Sequence, residues 1–282
     1  MSWGCVILKT SYIYIYADFV WKVWILCVRR KPKRYVRMEI IMREKLHIMA
    51  VGAHVIDAEL SCGKTLAKHS LLGDKITTVA LTAGENGHPA EFSKEEFRKV
   101  NTEGGKAFAE ALGGKFICMG YDDANVPESE EIYNAMADII RREKPDVILT
   151  HWEGSYHEDH FLAPKIVRKA VRRAGFSDSE YPAHRVKHIY YAENWEDMKD
   201  FTPYLFVDVS GEAFELWNKA IDNIYLATHA TYFDYKGYYE ALSRVRGILA
   251  SREIPGCTRA ECFAISDHER FRLTDIKDSI SL

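Results

Sequence analysis

The chain has 282 residues, of which 47% are hydrophobic and 28% are charged, and its formal net charge is -3. This length is enough for one large core, or for a core domain with an appendage. Acidic and basic residues are interspersed, so the chain lacks the sustained positive field that a nucleic-acid partner requires. The six cysteines form no CxxC pair and are too scattered for a disulfide framework. We therefore expect a reducing compartment, the cytoplasm, and no nucleic-acid partner.

Residues 1–41 differ from the rest of the chain because they are rich in aromatic and apolar residues. Lys9, Asp18 and Lys22 interrupt this segment, so it has no uninterrupted run of about 18 apolar residues for a transmembrane helix. Three interpretations stay open: a weak signal anchor, an ordered extra element, or an upstream extension foreign to the native protein. We favour the last, with 42–282 as the functional domain and no membrane association.

From Lys45 onward, short β-rich runs alternate with longer amphipathic segments, as in proteins built from βαβ units. This pattern predicts an α/β fold: a Rossmann-like, doubly wound and mostly parallel sheet with helices on both faces, in a single domain. The predicted strands are 46–53, 75–82, 116–119, 146–150, 187–192 and 204–209.

Two of the intervening helices have start signals in the sequence. Ser93 and Glu96 fit a capping box that opens a helix ending near Gly113. Ser129 fits the start of a second helix that runs to about Glu143. Both helices fall between predicted strands, as the crossover connections of a parallel sheet require.

Potential metal ligands follow two of the predicted strands. His54 and Asp57 come after the first strand. The segment HWEGSYHEDH follows the fourth strand and contains His151, His157, Asp159 and His160. In a sheet of order 3-2-1-4-5 these two strands are neighbours, and ligands bind in the crevice beyond their carboxyl ends. Two imidazoles and one carboxylate suit a catalytic zinc with an open position, although iron(II) accepts the same ligands. The first strand lacks GxGxxG, which argues against a dinucleotide site.

Three segments carry a resemblance to a known family. AHVIDAELSCGKTLAKH, VALTAGENG and the tetrad HEDH occur in this order. They resemble the LmbE/PIG-L family of zinc-dependent N-acetylglucosaminyl deacetylases, whose pattern reads AHPDDxE, a GG-T-L-A helix start, a T-x-G-E loop and HPDH. The resemblance implies a metal-dependent hydrolase that removes the N-acetyl group from a small N-acetylglucosamine-type amino-sugar conjugate. It also implies assembly as a homo-oligomer.

The resemblance carries over to individual residues by position. His54, Asp57 and His160 would be the metal ligands, and zinc would be the metal. His157 would be a catalytic residue that stabilises the substrate oxyanion, with Asp159 fixing its tautomer.

One position departs from the family pattern. The family's first aspartate, usually assigned as the general base, aligns with Ile56, which cannot accept a proton. Glu59, Glu85 or Asp159 are candidate replacements, and a mechanism without a dedicated base is a further alternative, although Glu59 better fits a role at a helix start. A positioned base typically raises the reaction rate by about 10²–10⁴-fold. We therefore expect either slow turnover or a base at another position. A catalytically weakened homologue that binds metal and sugar is one alternative. An amidase acting on a related conjugate is the nearest enzymatic alternative.

Other residues are candidates for substrate contacts. Arg98, Glu85 and Tyr156 are the substrate-binding candidates, although a surface position for Arg98 and simple packing for Tyr156 are the competing interpretations. His151 and Trp152 precede the HEDH tetrad and are expected to line the crevice. A sugar-facing wall, or alternatively an oligomer interface, is expected from four residues: Tyr191, Glu193, Trp195 and Glu196.

Overall fold

The chain divides into two units, Met1–Glu44 and Lys45–Leu282. A computed structural model describes residues 44–177, 179–195 and 199–266, together with the backbone of the strands in the first unit. The first unit contains an antiparallel sheet of four strands in sequential order: β1 (Ile7–Leu8), β2 (Ser11–Asp18), β3 (Lys22–Cys27) and β4 (Val36–Arg37). Whether this segment belongs to the native protein stays a prediction.

The second unit is built on a sheet of seven strands. They are β5 (His47–His54), β6 (Lys75–Thr82), β7 (Lys115–Tyr121), β8 (Val147–His151), β9 (His188–Ala192), β10 (Leu205–Asp208) and β11 (Ala260–Ala264). Their order is β10-β11-β9-β8-β5-β6-β7, and the pairs from β7 to β9 are parallel. The predicted order 3-2-1-4-5 and the mostly parallel, Rossmann-like α/β fold are confirmed.

The far edge of the sheet differs from the prediction. The sixth predicted strand is present as β10, but it pairs antiparallel with β11, which the sequence did not predict. β11 in turn pairs antiparallel with β9. The five-residue segment AECFA is buried throughout, so it lacks the alternation of apolar and polar residues that identifies a half-exposed strand.

Eight helices connect or cover the described strands. They are α1 (Asp57–Ser61), α2 (Gly63–Leu71), α3 (Lys94–Ala111), α4 (Glu130–Glu143), α5 (Glu158–Ala174), α6 (Glu212–Ala220), α7 (Tyr225–His229) and α8 (Tyr235–Ala250). The capping box of Ser93 and Glu96 opens α3 as predicted, and the Ser129 side chain accepts the N–H of Ile132 at the start of α4. No helix in the described part of the chain is long and apolar enough to span a membrane.

Apolar cores lie on both faces of the sheet. On one face, Ile48 belongs to a buried cluster with Leu66 of α2 and Trp217 of α6. The next residue along β5, Met49, belongs to a second cluster with Met136 of α4. Because both faces of β5 are covered, its residues are all buried, which explains why the strand is a continuous apolar run. Because both faces of the sheet are covered by apolar cores, the polar residues at the ends of β5 and β8 lie at the carboxyl edge of the sheet.

Candidate metal and active site

Three buried acceptor atoms meet where β5 and β8 end. His54 Nδ1 lies 3.1 Å from Asp57 Oδ2 and 3.1 Å from His160 Nε2, and His160 Nε2 lies 3.2 Å from Asp57 Oδ2. We call these three atoms the ligand triangle. Zinc-ligand bonds of about 2.0–2.1 Å in a tetrahedral site give ligand-ligand distances of about 3.3 Å. The triangle therefore has the spacing of three ligands around one cation.

The outer contacts of the two histidines leave a lone pair facing into the triangle. His54 Nε2 faces two carboxylates, Asp123 at 3.1 Å and Asp159 at 3.2 Å, so it carries the ring proton. The Asn194 amide nitrogen lies 3.1 Å from His160 Nδ1, and a metal ion at His160 Nε2 requires the opposite orientation of this amide, with its oxygen accepting the Nδ1 proton. His54 Nδ1 and His160 Nε2 then point their lone pairs at each other and at Asp57. A cation between them relieves this repulsion, so the residues fit a metal ion.

His151 belongs to the same cluster; the sequence placed it among the potential ligands after the fourth strand, with a crevice-lining role as the alternative. Its Nε2 accepts the N–H of Ala53 at 3.0 Å and lies 3.2 Å from Asp57 Oδ2. Its ring stacks on His160 with centroids 4.3 Å apart. The Trp152 indole instead donates to a backbone carbonyl outside this cluster. His151 therefore supports the ligand triangle from behind, and its position as the last residue of β8 was the available signal.

The turn between β5 and α1 holds Asp57 in position. Asp57 Oδ2 accepts the N–H of His54 at 2.7 Å, and Glu59 accepts the N–H of Ile56 at 2.9 Å. The helix-start role predicted for Glu59 is therefore what the structure gives. Ile56 has φ 103°, a backbone conformation that β-branched residues rarely adopt. Such a residue costs about 1–3 kcal/mol and persists only where the surrounding structure enforces it.

Charge within the cluster shifts the pKa values of two ligands in opposite directions. Burial alone would lower the pKa of His54, but the carboxylates around it, Asp57 first, hold this pKa well above its usual value. Burial alone would raise the pKa of Asp57, but His160, His54 and His151 hold it well below its usual value. A metal ion must therefore displace a proton from the cluster, so metal binding weakens as the pH falls.

A cavity of about 220 Å³ opens onto the ligand triangle. Ile56 and His157 line it, so the departed base position and the predicted oxyanion stabiliser both face the site. The His157 ring stacks on His160 with centroids 4.5 Å apart and meets His54 edge-on at 5.0 Å. Asp123 also lines the cavity, and the sequence did not single it out. Its signal was an acidic pair directly after β7.

The predicted substrate residues lie near the cavity but are not among the residues that line it. Arg98 forms ion pairs with Glu85 and with Asp122, and Glu85 also accepts the N–H of Asp123 at 3.1 Å. Tyr156 is 69% exposed, next to His157 in the chain. Asp159 is buried and accepts the N–H of Ala124 at 2.8 Å. Substrate contacts by Arg98, Glu85 and Tyr156 stay predictions.

The expected sugar-facing wall is present only in part. Trp195 lines the cavity, whereas Tyr191 is fully buried in the core. Glu193 forms an ion pair with Arg246. Glu196 lies outside the described residues. Two further aromatic residues line the cavity, Tyr232 just before α8 and Tyr235 at its first position, and no pattern in the sequence indicated them.

Comparisons with known proteins find similar sequences. Residues 49–171 match the family model PIG-L, described as GlcNAc-PI de-N-acetylase. The diacetylchitobiose deacetylase of Thermococcus kodakarensis is 27% identical, over 72% of this chain and 84% of its own length. The 4-oxalmesaconate hydratase of Pseudomonas putida is 23% identical, over 75% of this chain and 83% of its own length.

A solved structure shares the fold. The N,N'-diacetylchitobiose deacetylase of Pyrococcus horikoshii superposes with a TM-score of 0.67 at 20% identity, over 84% of this chain and 90% of that one. The matched segment 49–171 contains all three residues of the ligand triangle. The family resemblance expected from the sequence is therefore confirmed over residues 49–171, which match the PIG-L family model, and the proteins similar to this chain include deacetylases.

Proposed function

We propose that the chain is a metal-dependent amide hydrolase that removes the N-acetyl group from an N-acetylglucosamine-type amino-sugar conjugate. The observation that carries this proposal is the ligand triangle, with edges of 3.1–3.2 Å, at the carboxyl edge of a PIG-L-family domain. His54, Asp57 and His160 would hold the ion. Zinc suits these ligands best, and iron(II) is the alternative.

A zinc ion held by these residues would supply an activated water near neutral pH and would polarise the substrate carbonyl. His157 lies beside this position, with its ring stacked on His160, and in its protonated form it donates to the developing oxyanion. Asp159 contacts His54 Nε2 at 3.2 Å and so orients the His54 ring, whereas the role predicted for Asp159 in fixing the His157 tautomer stays a prediction. These roles give each predicted catalytic residue a task that its contacts support.

The attacking water must lose a proton during hydrolysis. Because Ile56 stands where the family has an aspartate and cannot accept this proton, another residue must do so. Glu59 is committed to the N–H of Ile56, and Glu85 is paired with Arg98. Asp123 is the carboxylate that lines the cavity without belonging to the ligand triangle, so we assign it the acceptor role. Its oxygens also contact His54 Nε2 and accept the N–H of Asn86, which weakens its basicity. We therefore expect slow turnover.

Release of acetate from a panel of N-acetylglucosamine derivatives tests the proposal. The parent, Ile56→Asp and His160→Ala are compared after zinc loading. We expect slow release by the parent, none by His160→Ala, and about 10²–10⁴-fold faster release by Ile56→Asp, because a positioned base is restored. Release that is unchanged in His160→Ala would refute the proposal. Silence in the parent with activity in Ile56→Asp would identify a catalytically weakened metal- and sugar-binding homologue.

A second candidate function is the addition of water to a carbon-carbon double bond. It is favoured by Ile56, which removes the residue associated with amide hydrolysis, together with the similarity to a hydratase over 83% of that protein. The same zinc-loaded protein, incubated with unsaturated carboxylates, would then lose absorbance of the conjugated bond without releasing acetate. Homo-oligomeric assembly and a cytoplasmic location are further proposals from the sequence.

A further inference from the structure

Part of the cavity wall is aromatic, and its residues come from two distant segments of the chain. Trp195 follows β9, whereas Tyr232 lies just before α8 and Tyr235 is its first residue. The rings of Trp195 and Tyr232 each meet Tyr235 edge-on, with centroids 5.7 and 5.9 Å from it. We call these three residues the aromatic wall.

The aromatic wall is anchored on its inner side and open on its outer side. Tyr235 is buried and packs against Phe233 at 4.9 Å, and the Trp195 N–H donates to the Tyr239 hydroxyl at 3.0 Å. Tyr232 is 66% exposed, although it borders the cavity and its hydroxyl lies 3.2 Å from that of Tyr235. A fixed aromatic ring with an uncovered face is a stacking platform for a planar apolar group.

The charges around the cavity are unfavourable for an anion. Among the described residues that line it there is no lysine or arginine, while two carboxylates, Asp57 and Asp123, do line it. Asp159 lies directly behind His54. A divalent cation in the ligand triangle would be offset by these three carboxylates. Arg98, outside the lining, is paired with Glu85 and with Asp122, so no described lysine or arginine at the cavity receives a phosphate or carboxylate group there.

We propose that the cavity selects an uncharged N-acetylglucosamine conjugate whose second group is an apolar ring stacked on the aromatic wall, and that it rejects conjugates carrying a phosphate or carboxylate there. This inference rests on the proposed deacetylase function and specifies its substrate class. It also argues against the hydratase alternative, because unsaturated carboxylates would meet the same negative charge.

Equilibrium binding tests this selection without requiring turnover. Isothermal titration of the zinc-loaded protein compares N-acetylglucosamine, its phenyl glycoside and its 1-phosphate. The phenyl glycoside should bind about threefold to tenfold more tightly than the free sugar, as expected for one aromatic contact. The 1-phosphate should bind more weakly than the free sugar.

Variants of Tyr232 identify the wall as the cause. Tyr232→Ala should remove the advantage of the phenyl glycoside, and Tyr232→Phe should keep it. Phe176→Ala is the matched control, because Phe176 is similarly exposed but outside the cavity. Equal or tighter binding of the 1-phosphate, an unchanged phenyl preference in Tyr232→Ala, or no binding of any probe would overturn the inference. Acetate release is measured separately, so selective binding without release would refute the deacetylase and leave the selectivity intact.

Discussion

Two buried polar clusters lie close to α1 and α2, and they differ in how their charges are matched. In the ligand triangle, three acceptor atoms converge at 3.1–3.2 Å. In the second cluster, the Lys64 ammonium lies 3.4 Å from Glu261 and 3.5 Å from the centroid of the Trp217 ring. Glu261 also accepts the backbone N–H groups of Lys64 and Thr65, and so caps α2. In this second cluster the positive charge of Lys64 and the negative charge of Glu261 are paired with each other.

This difference separates a binding site from a structural one. Burial lowers the pKa of Lys64 to about 8, but Glu261 beside it opposes the shift, and the pair closes on itself. The ligand triangle is balanced only when a proton or a metal ion enters it. Buried acceptors that face one another therefore indicate a ligand, whereas a buried donor matched to an acceptor indicates a structural role.

The largest effect is expected from breaking the ligand triangle itself. Asp57→Ala removes a metal ligand, so zinc affinity should fall by more than about 100-fold, the upper range for loss of an outer partner of a ligand. Titration with zinc measures this change. Glu212→Ala, a change on the surface at the start of α6, is the control and should bind zinc like the parent. Parent-like affinity in Asp57→Ala would rule out the ligand triangle as the metal site.

The second cluster should respond in stability and not in metal binding. Glu261→Ala leaves the Lys64 ammonium buried without its partner, which costs about 3–5 kcal/mol of unfolding free energy. Urea unfolding measures the loss, and zinc affinity should be unchanged. Glu253→Ala, at an exposed position, should change stability by no more than about 0.5 kcal/mol. If both variants are equally stable, the Lys64 pair has no structural role.

A smaller effect is expected behind the ligand triangle. Asp123→Asn removes a carboxylate that faces His54 Nε2, and loss of such a partner lowers metal affinity about 10–100-fold. Its neighbour Asp122 is exposed and pairs with Arg98, so Asp122→Asn is a matched control. A zinc affinity that falls equally in both variants would show that general charge, and not the contact with His54, is responsible.

The smallest effect is expected for His47, at the amino end of β5 and outside both clusters. It tests whether the protonation of His47 changes the stability of the fold. Burial, assisted by the charge of Lys75, lowers the pKa of His47 below its usual 6.5. The unfolded chain therefore binds a proton at a pH where the folded chain does not. The contribution of His47 to stability is full above 6.5 and is lost as the pH falls through the lower folded pKa.

Melting temperatures at pH values above and below 6.5 measure this contribution. His47→Gln should show a smaller loss on acidification than the parent does. The exposed His229, converted to Gln in the same way, should leave the loss unchanged. Equal losses in the parent and in His47→Gln would mean that another group controls this pH dependence.

The fold and the meeting of the candidate ligands at one sheet edge could be predicted because their signals are local, whereas the choice of His54, Asp57 and His160 among them came from the family resemblance. His54 ends β5, Asp57 follows it closely and His160 lies at the start of α5 after β8, and the parallel order brings the carboxyl ends of the two strands together. Glu59 at the start of α1 was predictable for the same reason, from its place in the first helical turn.

The remaining residues of the site depend on contacts between distant segments. Asn194 reaches His160, and Asp123 reaches His54, only after their loops have folded over the sheet edge. Glu261 caps α2 from 196 residues away in the chain, at Thr65. Tyr232 enters the cavity because of how α8 packs. No spacing or periodicity in the sequence encodes these approaches.

The central claim is that the ligand triangle holds one metal ion, and the zinc content of the untagged protein tests it most directly. The protein is loaded with zinc, dialysed at neutral pH and analysed for bound metal, beside His160→Ala treated identically. The account predicts one zinc ion per chain in the parent and none in His160→Ala. A parent without zinc, or a variant that retains it, would contradict the assignment of this site.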